Sequence, residues 1–118
     1  MPSNKDVDER FKRIQSFLKT FRGGIWASNI LRKQCYTLAE NIEKFRDKVE
    51  KCDPEAIWYA HHISEELVRL NNEIEHFENS GYISVDEAKE FSFMRYDLLE
   101  QLWSLIEDFK NKCVCRLK

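Results

Sequence analysis

The chain has 118 residues, a formal net charge of −2, and 42% hydrophobic and 13% aromatic residues. This length and apolar content predict a single domain over residues 1–118 and exclude an intrinsically disordered chain. Three glycines and two prolines are too few for the turns of an all-β domain of this size. The composition therefore predicts a helical chain.

The first predicted helix is short and covers residues 6–21. Its apolar side chains recur at intervals of four and three residues, which places them on one face: Val7, Phe11, Ile14, Leu18 and Phe21. Gly23 and Gly24 predict its end, since glycine readily adopts the left-handed conformation that closes a helix. We expect this helix to bury its apolar face against the others.

The second predicted helix covers residues 27–51 and carries a longer apolar seam. The seam repeats at the same intervals over about three heptads, which favours packing at a shallow angle against neighbouring helices. Its members are Leu31, Cys35, Leu38, Ile42, Phe45, Val49 and Cys52.

The third predicted helix begins after Asp53-Pro54-Glu55 and ends near residue 78. Asp is a preferred N-cap residue, Pro fits the first turn, and an acidic side chain there suits the helix dipole. Gly81 closes the connection, and Ser84 and Glu87 have the spacing of a capping box for a fourth helix that runs to residue 112. The fold class predicted is all-α: an antiparallel, up-and-down four-helix bundle with one short N-terminal helix and three long ones.

Four cysteines are present, at positions 35, 52, 113 and 115, and no two have the CxxC spacing of zinc ribbons or thioredoxins. Cys35 and Cys52 continue the apolar seam, which predicts small core residues. Cys113-Val114-Cys115 is interpreted as a frayed helix end, with a metal or redox role as the alternative. The polar N-terminus and the absence of a long apolar run predict a cytoplasmic protein without a membrane span.

One side of the third predicted helix, opposite its apolar stripe, carries an unusual set of side chains. The set comprises Trp58, His62, Glu65, Glu66, Arg69 and Glu73. We predict that it binds a protein partner, because tryptophan is frequent among binding hot spots. The three glutamates of the set suit a basic partner. The alternatives are a solvated face and a metal site built on His62, Glu66, Glu73 and His76, which resembles half of a bundle di-iron site. No metal or other cofactor is expected.

The fourth predicted helix is apolar over a wide arc. Beside its main stripe lies a second strip, which includes Tyr96, Leu99, Trp103 and Ile106. Such an arc suits either contact with two neighbouring helices or self-association through an exposed patch. We predict a homodimer contact there and keep the buried alternative open.

The first 34 residues hold eight Lys or Arg against three Asp or Glu, whereas residues 53–80 hold seven acids against Arg69. Arg10, Arg13, Lys19 and Arg22 are the candidate phosphate contacts of a nucleic-acid-binding alternative. The overall acidity and the lack of a nucleic-acid-binding motif argue against it. The chain also lacks a Gly-rich phosphate loop, a nucleophile elbow and HExxH, so we expect a non-enzymatic protein-interaction module: an intracellular inhibitor, an immunity-type protein, an adaptor or an assembly subunit.

Overall fold

The computed structural model of the chain describes the backbone of residues 4–117 and the side chains of residues 5–14 and 25–114. The described backbone forms three helices: α1 over Asn4–Glu50, α2 over Glu55–Asn79 and α3 over Val85–Leu117. They run up, down and up, and each packs against both others. The all-α antiparallel bundle predicted from the sequence is confirmed. The chain as a whole measures 82 Å along its long axis and 20 and 16 Å across.

The predicted break at Gly23 and Gly24 is wrong, because α1 continues through both as one helix of 47 residues. The first two predicted segments are therefore one element, and the described part of the chain holds three helices. Glycine inside a helix costs only about 1 kcal/mol relative to alanine, so a pair permits a break without forcing one. The residues that follow, Ile25, Trp26 and Ala27, include no N-cap side chain to start a new helix.

The core is built from the apolar seams of the three helices. Its largest fully buried side chains are Leu31, Ile42, Phe45, Ile63, Leu67, Leu70 and Cys113. Most members repeat at intervals of three and four residues, as the sequence predicts for the second, third and fourth segments. Inward and outward positions of the bundle are therefore set by helical spacing.

The bundle covers α1 only from about residue 26 onward. Near that point the Trp26 ring makes an edge contact with Phe77, at 6.0 Å between centroids, and the Ser28 hydroxyl donates a hydrogen bond to Glu87. Both partners lie beside the α2–α3 connection, so residues 4–25 of α1 extend past the end of the bundle. We call this segment the arm.

The arm leaves its apolar face in water. Val7, Phe11 and Ile14 are 40%, 59% and 53% exposed, so the expectation that the first helix buries this face is wrong within the chain. Leu18 and Phe21 lie outside the described side chains. The cause is length: α2 and α3 turn back at residue 80, and they reach no further along α1. The basic arm consequently does not pack on the acidic α2 of its own chain.

Both connections have the capping chemistry that the sequence predicts. The Asp53 carboxylate accepts the Glu55 N–H at 2.9 Å, and the Ser84 hydroxyl accepts the Glu87 N–H at 3.0 Å. Gly81 has φ +76°, the left-handed value that its place after α2 requires. Lys48 lies 3.2 Å from Asp53 and 3.0 Å from Glu55, and these two carboxylates raise the pKa of Lys48.

Cys52 and Cys113 form a disulfide that joins the α1–α2 connection to the end of α3, with 5.2 Å between their Cα atoms. Cys113 is fully buried, so its interpretation as part of a frayed end is wrong: α3 remains helical to Leu117. Cys52 is half-buried and lies just past α1, at φ +51°, where its side chain turns toward α3. Cys35 is buried as predicted, and burial raises the pKa of its thiol.

Candidate protein-binding surfaces

The first candidate surface is the outer side of α2. Trp58 is 60% exposed, so it is not a core residue. Its indole stacks on the His62 imidazole with 5.0 Å between centroids and 7° between planes, and Tyr59 meets the indole edge-on at 5.0 Å. Stacking holds the tryptophan against the helix surface while one face of the ring stays in water.

The remaining predicted residues of this surface divide into two rows. Glu65 and Arg69 are exposed, whereas Glu66 and Glu73 are half-buried toward α1. Arg69 pairs with Glu66 at 3.2 Å, and Glu73 accepts a hydrogen bond from the Gln34 amide of α1. Glu65 makes no ion pair among the described residues and is exposed, so the surface keeps a negative charge beside an exposed aromatic ring.

The metal alternative receives no support from the described residues. Among them, no three His, Cys, Asp or Glu side chains come close enough to hold one ion. His62 and Glu66 are separated from Glu73 and His76 by about two helical turns of α2, or roughly 10 Å. Of these four, Glu66 and Glu73 already have partners, Arg69 and Gln34 respectively.

The second candidate surface is the apolar strip of α3. Tyr96, Leu99 and Trp103 are 57%, 36% and 66% exposed, while Ile106 is half-buried and packs against the core. The two-neighbour interpretation therefore holds for Ile106 and fails for the other three. Val85, three turns before Tyr96 on the same face, is also exposed.

The strip forms one wall of a groove between α3 and α2. The Arg95 side chain spans the base of this groove and donates from Nε to the Leu67 carbonyl at 2.8 Å. On the α2 wall, Ile57 and Val68 are 56% and 58% exposed. They lie on the flank of α2 that helical spacing turns toward α3. At its hairpin end the groove opens to a hollow of about 550 Å³ between Glu78, Val85 and Tyr96.

Ile57 and Val68 are the members of this groove that the sequence analysis missed. They lie outside the apolar seam of α2, so the core periodicity does not mark them. Their separation of three helical turns places them on one line along the helix, and this spacing is a signal that could have identified them.

The nucleic-acid alternative depends on the arm. Arg10 and Arg13 are exposed there, and the side chains of Lys19 and Arg22 lie outside the described part. Asp6, Asp8 and Glu9 are interleaved with the basic residues, and Lys12 pairs with Asp8 at 3.1 Å. The described arm is therefore a mixed-charge surface with an apolar stripe, and it does not present a continuous basic track.

Comparison with protein-family models, curated proteins and solved structures gives no match to this chain. No helix among the described residues has a stretch long and apolar enough to cross a bilayer.

Proposed function

We propose that this protein is a non-enzymatic protein-interaction module. It acts as a small intracellular inhibitor, an immunity-type protein, an adaptor or an assembly subunit, and it binds a basic partner through the outer side of α2. The observation that carries the proposal is the exposure of Trp58 on a helix rich in acidic side chains. An aromatic ring of this size, held in place by His62 and left open on one face, is the kind of side chain that anchors an interface.

Charge and burial have separate parts in this mechanism. Helix α2 holds six acidic side chains against Arg69, so its field raises the rate of encounter with a basic protein. Trp58 then loses its exposed face to the partner and supplies most of the affinity. Glu65 lies one helical turn from His62 and is placed to pair with an Arg or Lys at the rim.

Self-association through the α3 strip is the second part of the proposal. Tyr96, Leu99 and Trp103 form a contiguous apolar patch, and soluble monomers seldom keep such a patch in water without a use for it. We propose a homodimer in which this strip is covered.

A cytoplasmic location is also part of the proposal. In that reducing compartment the Cys52–Cys113 disulfide of the structure would open to two thiols. As a thiol, the buried Cys113 could donate to the Val49 carbonyl oxygen, which lies 3.4 Å from its Sγ.

The test is a comparative capture from host extract with the full chain and two variants, Trp58→Ala and Tyr36→Ala. Tyr36 is 74% exposed on α1 and is the matched control for loss of a surface aromatic ring. We expect a partner retained by the wild type and by Tyr36→Ala, and lost with Trp58→Ala and at high salt. Equal recovery of the same proteins by all three chains would overturn the α2 surface as the binding site.

A further inference from the structure

Two stripes of exposed apolar side chains, on different helices, share one spacing. On α1 the stripe consists of Val7, Phe11, Ile14 and Ile25, at successive intervals of 4, 3 and 11 residues. On α3 it consists of Val85, Tyr96, Leu99 and Trp103, at intervals of 11, 3 and 4 residues. Each of the eight side chains is at least 36% exposed.

The two sets of intervals are the reverse of each other, so the stripes match when the helices lie antiparallel. Both helices rise about 1.5 Å per residue, and four pairs then come to the same level along the axis. The pairs are Val7 with Trp103, Phe11 with Leu99, Ile14 with Tyr96, and Ile25 with Val85. Within each stripe the members lie on one side of their helix, since 4, 3 and 11 residues are each close to whole turns.

A single chain cannot make these contacts in this conformation. Helix α1 is continuous, so the arm points away from the groove of its own chain. We propose that the arm lies in the α2–α3 groove of a second copy, antiparallel to that copy's α3, and that the second copy returns the same contact. This inference rests on the proposed self-association and names the element that covers the strip.

Length and symmetry support the exchange. The arm spans 22 residues, or roughly 33 Å, and the groove follows α2, which is 25 residues long. A twofold axis near residue 25 places each arm beside the other bundle, with the two α2–α3 connections meeting end to end. Every arm and every groove is then occupied, and the assembly closes as an isologous dimer.

Charge supports the same occupant. The arm holds six Lys or Arg against three Asp or Glu, and α2 as a whole holds six acids against one Arg. Arg10 and Arg13 flank the arm's apolar stripe on one side and are exposed. When the arm runs antiparallel to α3, helical geometry turns that side toward α2, where Glu75 is exposed on the same flank as Ile57 and Val68.

The exchange makes each bundle a four-helix bundle, with the fourth helix supplied by the partner copy. A protein partner on the outer side of α2 remains compatible with it, because Trp58 and Arg69 lie on the side of α2 away from the groove. Self-association and partner binding therefore use different surfaces.

The test uses the full chain and sedimentation equilibrium, with circular dichroism to confirm that each variant is folded. The wild type is expected to dimerise. Phe11→Asp and Leu99→Lys each place a lone charge in the apolar seam and should weaken the dimer about 100-fold, which is roughly 2.8 kcal/mol. The double variant Phe11→Asp/Leu99→Lys sets opposite charges face to face and should recover about tenfold or more over either single variant.

Two controls make the pairing specific. Phe11→Asp/Val85→Lys carries the same charges about 21 Å apart along the groove and should show no recovery. Tyr36→Asp alters a side chain outside both stripes and should leave the dimer intact.

A wild type that keeps the 14.2 kDa mass of one chain at all concentrations overturns the exchange. So does a dimer that tolerates both single variants, or equal recovery by the two double variants. A monomer that still loses its partner on Trp58→Ala would end the arm exchange and leave α2 as the partner-binding surface.

Discussion

Arg95 on α3 donates a 2.8 Å hydrogen bond from Nε to the main-chain carbonyl of Leu67 on α2. That carbonyl belongs to a core residue, and the guanidinium lies half-buried at the base of the groove. One side chain thus fixes the register of α3 against α2 along the groove.

The first prediction concerns this register contact. Arg95→Leu keeps a long apolar side chain and removes the donor, and it should lower the free energy of unfolding by about 1–2 kcal/mol. Arg69→Leu, which removes an exposed pair with Glu66, should change it by less than about 0.5 kcal/mol. Urea denaturation followed by circular dichroism measures both, and equal values for the two variants would contradict the assignment.

The second prediction concerns the start of α3. Ser84→Ala removes the hydroxyl that accepts the Glu87 N–H and should destabilise the chain by about 1 kcal/mol. Ser104→Ala, at an exposed position inside α3, is the matched control and should be neutral or slightly stabilising. A larger loss for Ser104→Ala than for Ser84→Ala would show that α3 begins elsewhere.

The third prediction concerns Gly23 and Gly24. In a continuous helix, replacing both with alanine removes two unfavourable residues and should increase helicity, with a gain of up to about 1 kcal/mol at each position. If the chain instead turned there with positive φ, alanine would strain the backbone and stability would fall. Circular dichroism at 222 nm and thermal unfolding of Gly23→Ala/Gly24→Ala distinguish the two.

The fourth prediction concerns acid. The Glu55 backbone N–H, and after it the Lys48 ammonium, hold the pKa of Asp53 below its ordinary value. A carboxyl whose pKa is lower in the folded chain stabilises it above the unfolded pKa, and this contribution disappears as pH falls through the folded value. The stability difference between wild type and Asp53→Asn should be constant above about pH 5 and shrink below about pH 4. A difference that grows toward low pH would contradict the contact.

The fifth prediction concerns the cysteines. The Cys52–Cys113 disulfide encloses a separation of 61 residues, so forming it with oxidised glutathione should stabilise the chain by about 2–4 kcal/mol. Cys52→Ser should abolish that response and match the reduced wild type.

Because Cys35 is buried and its pKa is raised, its thiol should react with iodoacetamide only on unfolding. Rapid labelling of Cys35 in the native chain would show that the core opens there.

The sequence predicts the bundle well wherever tertiary burial and helical spacing agree. The seam positions between Leu31 and Val49 and between Ile63 and Phe77 are buried, as their intervals require. The predicted caps at Asp53 and Ser84 form as well. These features are local or periodic, so a single chain suffices to reveal them.

The sequence predictions fail where burial or pairing of a residue depends on how far another helix extends. The arm has the same intervals as the core seam, and periodicity alone cannot show that α2 and α3 turn back before covering it. The disulfide is similar: Cys52 and Cys113 are brought together by the length of α3, which spacing near either residue does not encode. Residue type alone marks Trp58 and Trp103 as candidates for the two surfaces. Their exposure is seen only in the packed bundle.

The stability of Trp58→Ala and Trp103→Ala tests directly whether both indoles lie at the surface, when it is measured by urea denaturation at protein concentrations where the chain is monomeric. Because both indoles lie mostly in water, each variant should unfold within about 0.5 kcal/mol of the wild type. A loss of about 3–5 kcal/mol for either would mark it as a core residue and contradict the binding surface built on it.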